Sequence, residues 1–162
     1  MDKDFLKVIK EISNKLVGKN LTLSIAESCT GGYISHAITN LPGASQFFQM
    51  AVISYTEKAK KSALGIRASF LKKHGIVSEE TAIAMARAVR KVGDTDVSLS
   101  TTGVAGPETI EDKEVGLVFV AVAVGDMVES HGIKFIGNRE EIKKQASMEA
   151  LRFLNRVLDL WV

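Results

Sequence analysis

The chain has 162 residues, 46% apolar and 25% charged, with a formal net charge of +2. These values exclude a disordered chain, and the charge is too small and too evenly spread to mark a nucleic-acid binder. Its longest apolar stretch, Val115 to Val124, falls well short of the ~18 residues of a membrane span, and its one cysteine, Cys29, permits no internal disulfide, in keeping with a cytoplasmic address.

The charged start Met1-Asp2-Lys3-Asp4 does not read as a signal peptide, and the length suits one domain over residues 1–162. Residues 4–17 place Phe5, Val8, Ile9, Ile12 and Leu16 at helical spacing, with Gly18 and Asn20 as the stop. Leu21 to Ala26 reads as a strand. The polar run Glu27 to Gly32 then opens a second helix carrying Ile34, Ala37, Ile38 and Leu41 on one face, ended by Asn40 and Pro42-Gly43. Phe47 to Tyr55 is predicted as the second strand. Thr56 can cap a short helix that ends near Leu64-Gly65, and another helical segment runs from about Ser69 to His74. The small basic cluster Lys58, Lys60 and Lys61 reads as a solvated helix face.

Ser78, followed by Glu79 and Glu80, starts a helix with Ala82, Met85, Ala86 and Val89 inward. Three strands are then predicted: Val97 to Thr101, Val115 to Val124 and Met127 to Lys134, the last two joined by Gly125-Asp126 as a hairpin. Asn138 with Glu141 forms a capping box for the final helix, whose inner face is Ile142, Ala146, Ala150, Phe153, Val157 and Trp161. The expected fold is α/β: a three-layer α/β/α sandwich around a mixed, mostly parallel five-stranded sheet with one antiparallel strand.

Ligands of open α/β sheets collect at the carboxyl ends of strands, and three such ends carry reactive or flexible residues. The first is Glu27-Ser28-Cys29-Thr30-Gly31-Gly32, the second Ser54-Tyr55 leading to Lys58 and Lys60, the third Thr101 to Pro107. The first junction admits two readings. Its free backbone N–H groups suit a phosphate or an oxyanion; alternatively Ser28 or Thr30 merely caps the turn. A serine hydroxyl needs a base, which a buried lysine can provide, so Ser28 with Lys58 or Lys60 is one possible pair and Cys29 a rival nucleophile. The lone cysteine reads more simply as a buried apolar residue. His36, His74 and His131 lack metal-ligand spacing, so neither metal nor other cofactor is expected.

The runs AESCTGG (26–32), LPGAS (41–45), VISYTEKAK (52–60), LGI (64–66), HGIVSE (74–79), TGVAGP (102–107), Val115-Gly116 and Gly137-Asn138-Arg139 occur in this order across nearly the whole chain. In this the chain resembles the CinA C-terminal domain family. The resemblance implies a three-layer α/β/α fold, a homodimer, and hydrolysis of the nicotinamide mononucleotide amide to nicotinic acid mononucleotide and ammonia. It implies Ser28 as nucleophile, Lys60 as general base and Tyr55 as its helper. Thr30, Gly31 and Gly32 would lie against the nucleotide, Thr102 and Gly103 would line the same pocket, and Arg139 would meet the phosphate. Apolar groups in Leu158 to Val162 exceed one stripe, which is compatible with a dimer.

The chain departs from the family pattern over residues 108–114, Glu-Thr-Ile-Glu-Asp-Lys-Glu, where relatives have glycines and then Lys-Pro-Val-Gly, and at Asn138, where they often have Asp. If that loop borders the phosphate, its carboxylates oppose it. The alternative reading is therefore a non-catalytic module that holds a nucleotide or a partner protein.

Overall fold

The computed structural model describes residues 3–162; Met1 and Asp2, the first half of the charged start, lie outside them. Helix α1 (Lys3–Gly18) buries Phe5, Ile9, Ile12 and Leu16 along one stripe. Strand β1 (Leu23–Glu27), α2 (Tyr33–Thr39), a 3₁₀ turn (Ala44–Gln46) and β2 (Phe48–Ile53) follow. Helices α3 (Glu57–Leu64), α4 (Ala68–His74) and α5 (Glu79–Gly93) precede β3 (Val97–Gly103). The hairpin of β4 (Leu117–Val124) and β5 (Met127–Lys134) then leads to α6 (Arg139–Trp161). Three of the predicted start signals act as caps. Thr56 accepts from the Ala59 N–H at 3.1 Å, Ser78 from the Thr81 N–H at 3.1 Å, and Asn138 with Glu141 forms both halves of a capping box.

The sheet order is β2-β1-β3-β4-β5. β1 pairs in parallel with β2 and β3, while β4 is antiparallel to both neighbours and is thus the one reversed strand. The bounds of β1 to β4 differ from the predicted ones by one or two residues, and two of the shifts bear on the site. β4 starts at Leu117 rather than Val115 because Gly116, at φ 93, bends the chain just before it. β2 ends at Ile53, so Ser54 and Tyr55 leave the sheet and can reach the site.

One face of the sheet carries α1, α2 and α6 over a core that includes Ile9, Ile25, Leu99, Val120, Ala150 and Leu154. The other carries α3, α4 and α5. Here β1 and β3 present serines to the helix: Ser24, Ser98 and Ser100 donate to the carbonyls of Val89, Ala86 and Ala82 at 3.0, 2.7 and 2.6 Å. All three serines are fully buried, so these bonds remove what would otherwise be a desolvation cost. Ala82, Ala86, Ala121 and Ala123 pack beside them, and their small side chains let α5 lie close to the strands. At the C-terminus Leu158 is buried, Trp161 and Val162 pack at the edge of the core, and only Leu160 stands out, at 70% exposed.

Register places the site. Glu27 at the end of β1 is opposite Ile53 of β2 and Thr101 of β3. Ser28 and Ser54-Tyr55, which follow β1 and β2, and Thr102-Gly103, the last two residues of β3, therefore lie side by side at the carboxyl ends of these strands.

Candidate active site

Lys60 is 1% exposed although its helix, EKAKKSAL, is mostly charged. The reason is helical spacing. Lys60 and Leu64 are the buried residues of α3, at i and i+4, so Lys60 occupies the inward stripe while Lys58 and Lys61 face solvent and Lys61 pairs with Glu57. The expectation of a wholly solvated basic face is corrected at this one lysine. Its Nζ lies 2.9 Å from Ser28 Oγ and 2.8 Å from the Ser54 carbonyl oxygen. Burial pushes the Lys60 amine down to about 8, with the nearby Cys29 and Glu111 acting in the opposite sense. A lysine with that proton affinity is neutral often enough near neutral pH to take a hydroxyl proton.

Ser28 is 7% exposed and opens onto a cavity of about 340 Å³. Lys60, Thr102, Gly103, Tyr55 and Arg139 also line it. Thr102 donates to the Ile76 carbonyl oxygen at 2.7 Å. A Cβ on Gly103 would come within 2.6 Å of the Leu117 carbonyl oxygen, so the wall is tight there. Arg139, in the first turn of α6, donates to the Gly106 carbonyl oxygen and to the Tyr55 hydroxyl. Tyr55 is half-exposed and hydrogen-bonded to Arg139, which places it at the cavity mouth. Cys29 also lines the cavity, but burial pushes its thiol up to about 12, so it is a poor thiolate source.

At the junction itself the capping reading requires a correction. Thr30, Gly31 and Gly32, which the resemblance sets against the nucleotide, are not among the cavity-lining residues. Neither Ser28 nor Thr30 caps α2: its N-cap is Gly32, which has no side-chain cap. The Glu27 carboxylate fills that role, and with it the position an anion would take. It accepts from the N–H groups of Gly32, Ile34 and Ser35 at 2.9, 3.3 and 2.8 Å, and from the hydroxyls of Thr30 and Ser35 at 2.6 and 2.5 Å. Gly31 and Gly32 adopt φ 60 and 93, so the tight turn needs glycine for its backbone shape. Glu27 was not singled out from sequence. The available signal was an acid at the end of an apolar strand, directly before a glycine-rich helix start. Because Glu27 holds the turn that carries Ser28, Glu27→Ala is expected to destabilise the fold by about 3 kcal/mol or more, since several buried donors lose a charged acceptor. Thermal melting measures this, and an unchanged midpoint would show that the turn holds without it.

The acidic loop is less hostile than its composition suggests. Glu108 lines the cavity, but Glu114 pairs with Lys134, and the Glu111 carboxylate accepts from the N–H groups of Ile76 and Val77. Among the described residues no group of three or more His, Cys, Asp and Glu is arranged to hold a metal, and no helix is long and apolar enough to cross a membrane.

Known proteins share this arrangement of elements. A protein of Clostridium beijerinckii named for competence-damage induction is 43% identical over 155 residues, which cover 94% of this chain and 38% of that protein. A similarly named protein of Thermoanaerobacter pseudethanolicus is 42% identical over 152 residues, 93% of this chain and 37% of that one. The chain thus spans little more than a third of the length of these curated relatives. By contrast, the crystal structure of a CinA superfamily protein from Klebsiella pneumoniae has almost the same extent, with a TM-score of 0.94 at 28% identity, covering 97% of this chain and 99% of that one. The family model of the CinA C-terminal domain matches residues 6–158, and the chain belongs to that family.

Proposed function

We propose that the chain is an amidohydrolase acting on the carboxamide of nicotinamide mononucleotide, with Ser28 as nucleophile and Lys60 as general base. The observation that carries this reading is the 2.9 Å contact between two buried side chains, Lys60 Nζ and Ser28 Oγ, at the floor of a ligand-sized cavity. Neutral Lys60 takes the Ser28 proton as Oγ attacks the amide carbon. Collapse of the tetrahedral intermediate breaks the C–N bond, and Lys60 returns the proton to the leaving nitrogen, which departs as ammonia. Water, deprotonated by Lys60, then attacks the acyl-enzyme ester, the C–Oγ bond breaks, and Lys60 returns the proton to Ser28 Oγ as the acid leaves. Arg139 sits at the mouth with five N–H donors, of which one goes to Gly106 and one to Tyr55, and it suits a phosphate at the far end of the substrate. Tyr55 thereby acts as a positioning group for Arg139 rather than as a helper of Lys60.

Ammonia release from nicotinamide mononucleotide, compared with nicotinamide riboside and free nicotinamide, tests the reading. The nucleotide is expected to be turned over at least about tenfold more efficiently than the riboside, since a phosphate–guanidinium pair is lost in the latter. Equal rates for the two would remove Arg139 as a phosphate anchor. Calorimetric binding of the nucleotide with no ammonia released would replace the hydrolase by a non-catalytic binding module. A homodimer belongs to the same proposal, and light scattering should then report twice the 17.5 kDa chain mass.

A further inference from the structure

The loop between β3 and β4 contains a conformation that its residues disfavour. Ile110 and Lys113 form an isolated antiparallel bridge, closed by a Lys113 N–H to Ile110 carbonyl bond of 2.9 Å. The two residues between them, Glu111 and Asp112, both lie in the left-handed region, at φ 52 and 57. Two-residue hairpin turns with both central φ positive normally take Asn-Gly or Asp-Gly. Two non-glycine residues there are a cost that surrounding contacts must offset.

The contact is Glu111. Its Oε1 accepts from the Ile76 N–H at 2.9 Å and its Oε2 from the Val77 N–H at 3.2 Å, so one carboxylate spans two successive backbone donors. Gly75, at φ 82, makes the approach possible, since a Cβ there would overlap the carboxylate. Ile76 is held from its other side as well, because its carbonyl accepts from Thr102 at the end of β3. Ile76 and Val77 line the Ser28–Lys60 cavity from one wall, and Glu108, Thr109 and Ile110 line it from the loop.

We propose that Glu111 is a positioning residue: its carboxylate clasps the 107–114 loop to the Ile76–Val77 backbone and so holds the two walls of the Ser28–Lys60 cavity together over the substrate. The departure from the glycine-rich family pattern then supplies a fixed wall in place of a flexible one. The carboxylate also acts on Lys60 through space. The titratable groups facing Lys60 are Cys29, from the turn after β1, and Glu111, from the loop, while Lys58 and Lys61 on α3 itself are in solvent. The Glu111 charge supports the protonated amine against the effect of burial.

The inference rests on the hydrolase reading for its kinetic consequences, but the clasp has a test of its own. Lys113, within the loop, is a trypsin site. Full-length Glu111→Ala is expected to be cut at Lys113 at least about tenfold faster than wild type, with far-ultraviolet circular dichroism unchanged, because the segment opens locally. Equal cleavage rates would overturn the clasp whether or not the chain is an amidase. On nicotinamide mononucleotide, Glu111→Ala should raise KM about tenfold or more with a smaller change in kcat, as a loosened wall weakens substrate placement. Glu111→Gln retains one acceptor oxygen but no charge. Its amide NH2 cannot accept the second backbone N–H, so its trypsin resistance should fall between those of wild type and Glu111→Ala, and it should shift the acidic limb of the kcat/KM profile to lower pH. A limb that stays in place would remove the through-space action on Lys60. A higher kcat/KM in Glu111→Ala would overturn the positioning role, since the carboxylate would then be occupying a place the substrate needs.

Discussion

Ser28→Ala is expected to lower the rate of ammonia release from nicotinamide mononucleotide by at least about a thousandfold, the scale on which removing a nucleophile acts when base and binding pocket remain. The substitution deletes one oxygen. Lys60 loses one partner but keeps the Ser54 carbonyl oxygen at 2.8 Å, and the turn remains held by Glu27. The folded structure should therefore survive, and nucleotide affinity should change little, because Thr102, Gly103 and Arg139 still line the cavity. Single-turnover assays alongside calorimetry separate chemistry from binding. Cys29→Ala is the matched control and should retain activity, given a thiol held up at about 12 by burial. Full activity in Ser28→Ala, or its abolition by Cys29→Ala alone, would transfer the nucleophile's role away from this serine.

The second large effect is at Lys60. Lys60→Met should reduce kcat/KM by roughly a hundredfold to ten-thousandfold, the range of a lost general base. Lys60→Arg should be about as inactive, because a guanidinium does not give up its proton at accessible pH, whereas a lysine needed only for its positive charge would be replaced tolerably by arginine. In wild type the acidic limb of kcat/KM should have a midpoint at about 8, the value to which burial lowers this amine. The same shift has a consequence for stability. The unfolded chain keeps the Lys60 proton up to about 10.5, while the folded chain releases it near 8. Between those values the unfolded state binds more protons, so wild-type stability rises with pH. Relative to Lys60→Met, which lacks the amine, wild type should gain about 3 kcal/mol as pH goes from 8 to 10.5, and denaturant titrations at the two ends measure the difference. A constant difference would mean that the amine is solvated and no catalytic base.

Much of the architecture was legible because it is written in local, periodic signals. The apolar stripe of α1, the caps at Thr56, Ser78 and Asn138, and the Gly125-Asp126 hairpin each depend on neighbours within a few residues, and each appears as predicted. Strand ends moved by up to two residues where a backbone feature such as Gly116 intervened. At the site, helical periodicity carried a signal left unused: Lys60 and Leu64, four apart, share the inward stripe of α3, which separates Lys60 from Lys58 without reference to any relative. Glu27 and Glu111 were not legible in this way. Glu111 binds two backbone N–H groups of a distant segment, and Glu27 binds three backbone N–H groups together with the hydroxyls of Thr30 and Ser35; backbone donors carry no residue-type signature.

By itself, then, the sequence determined the order and kind of the elements, the α/β class and the three strand ends at which reactive residues gather. These follow from spacing, turn chemistry and the match of motifs in order. Tertiary structure alone decided which of those residues meet. The parallel register that sets Glu27 opposite Ile53 and Thr101 brings Ser28 to Lys60 across 32 positions of chain. It also decided which charges count. Burial lowers the proton affinity of one lysine among three neighbours, and backbone donors capture two acids that composition alone would place against a phosphate or in solvent. The physical reason is common to both cases: desolvation and hydrogen-bond geometry depend on what packs around a group in space, which the nearest residues in sequence do not specify.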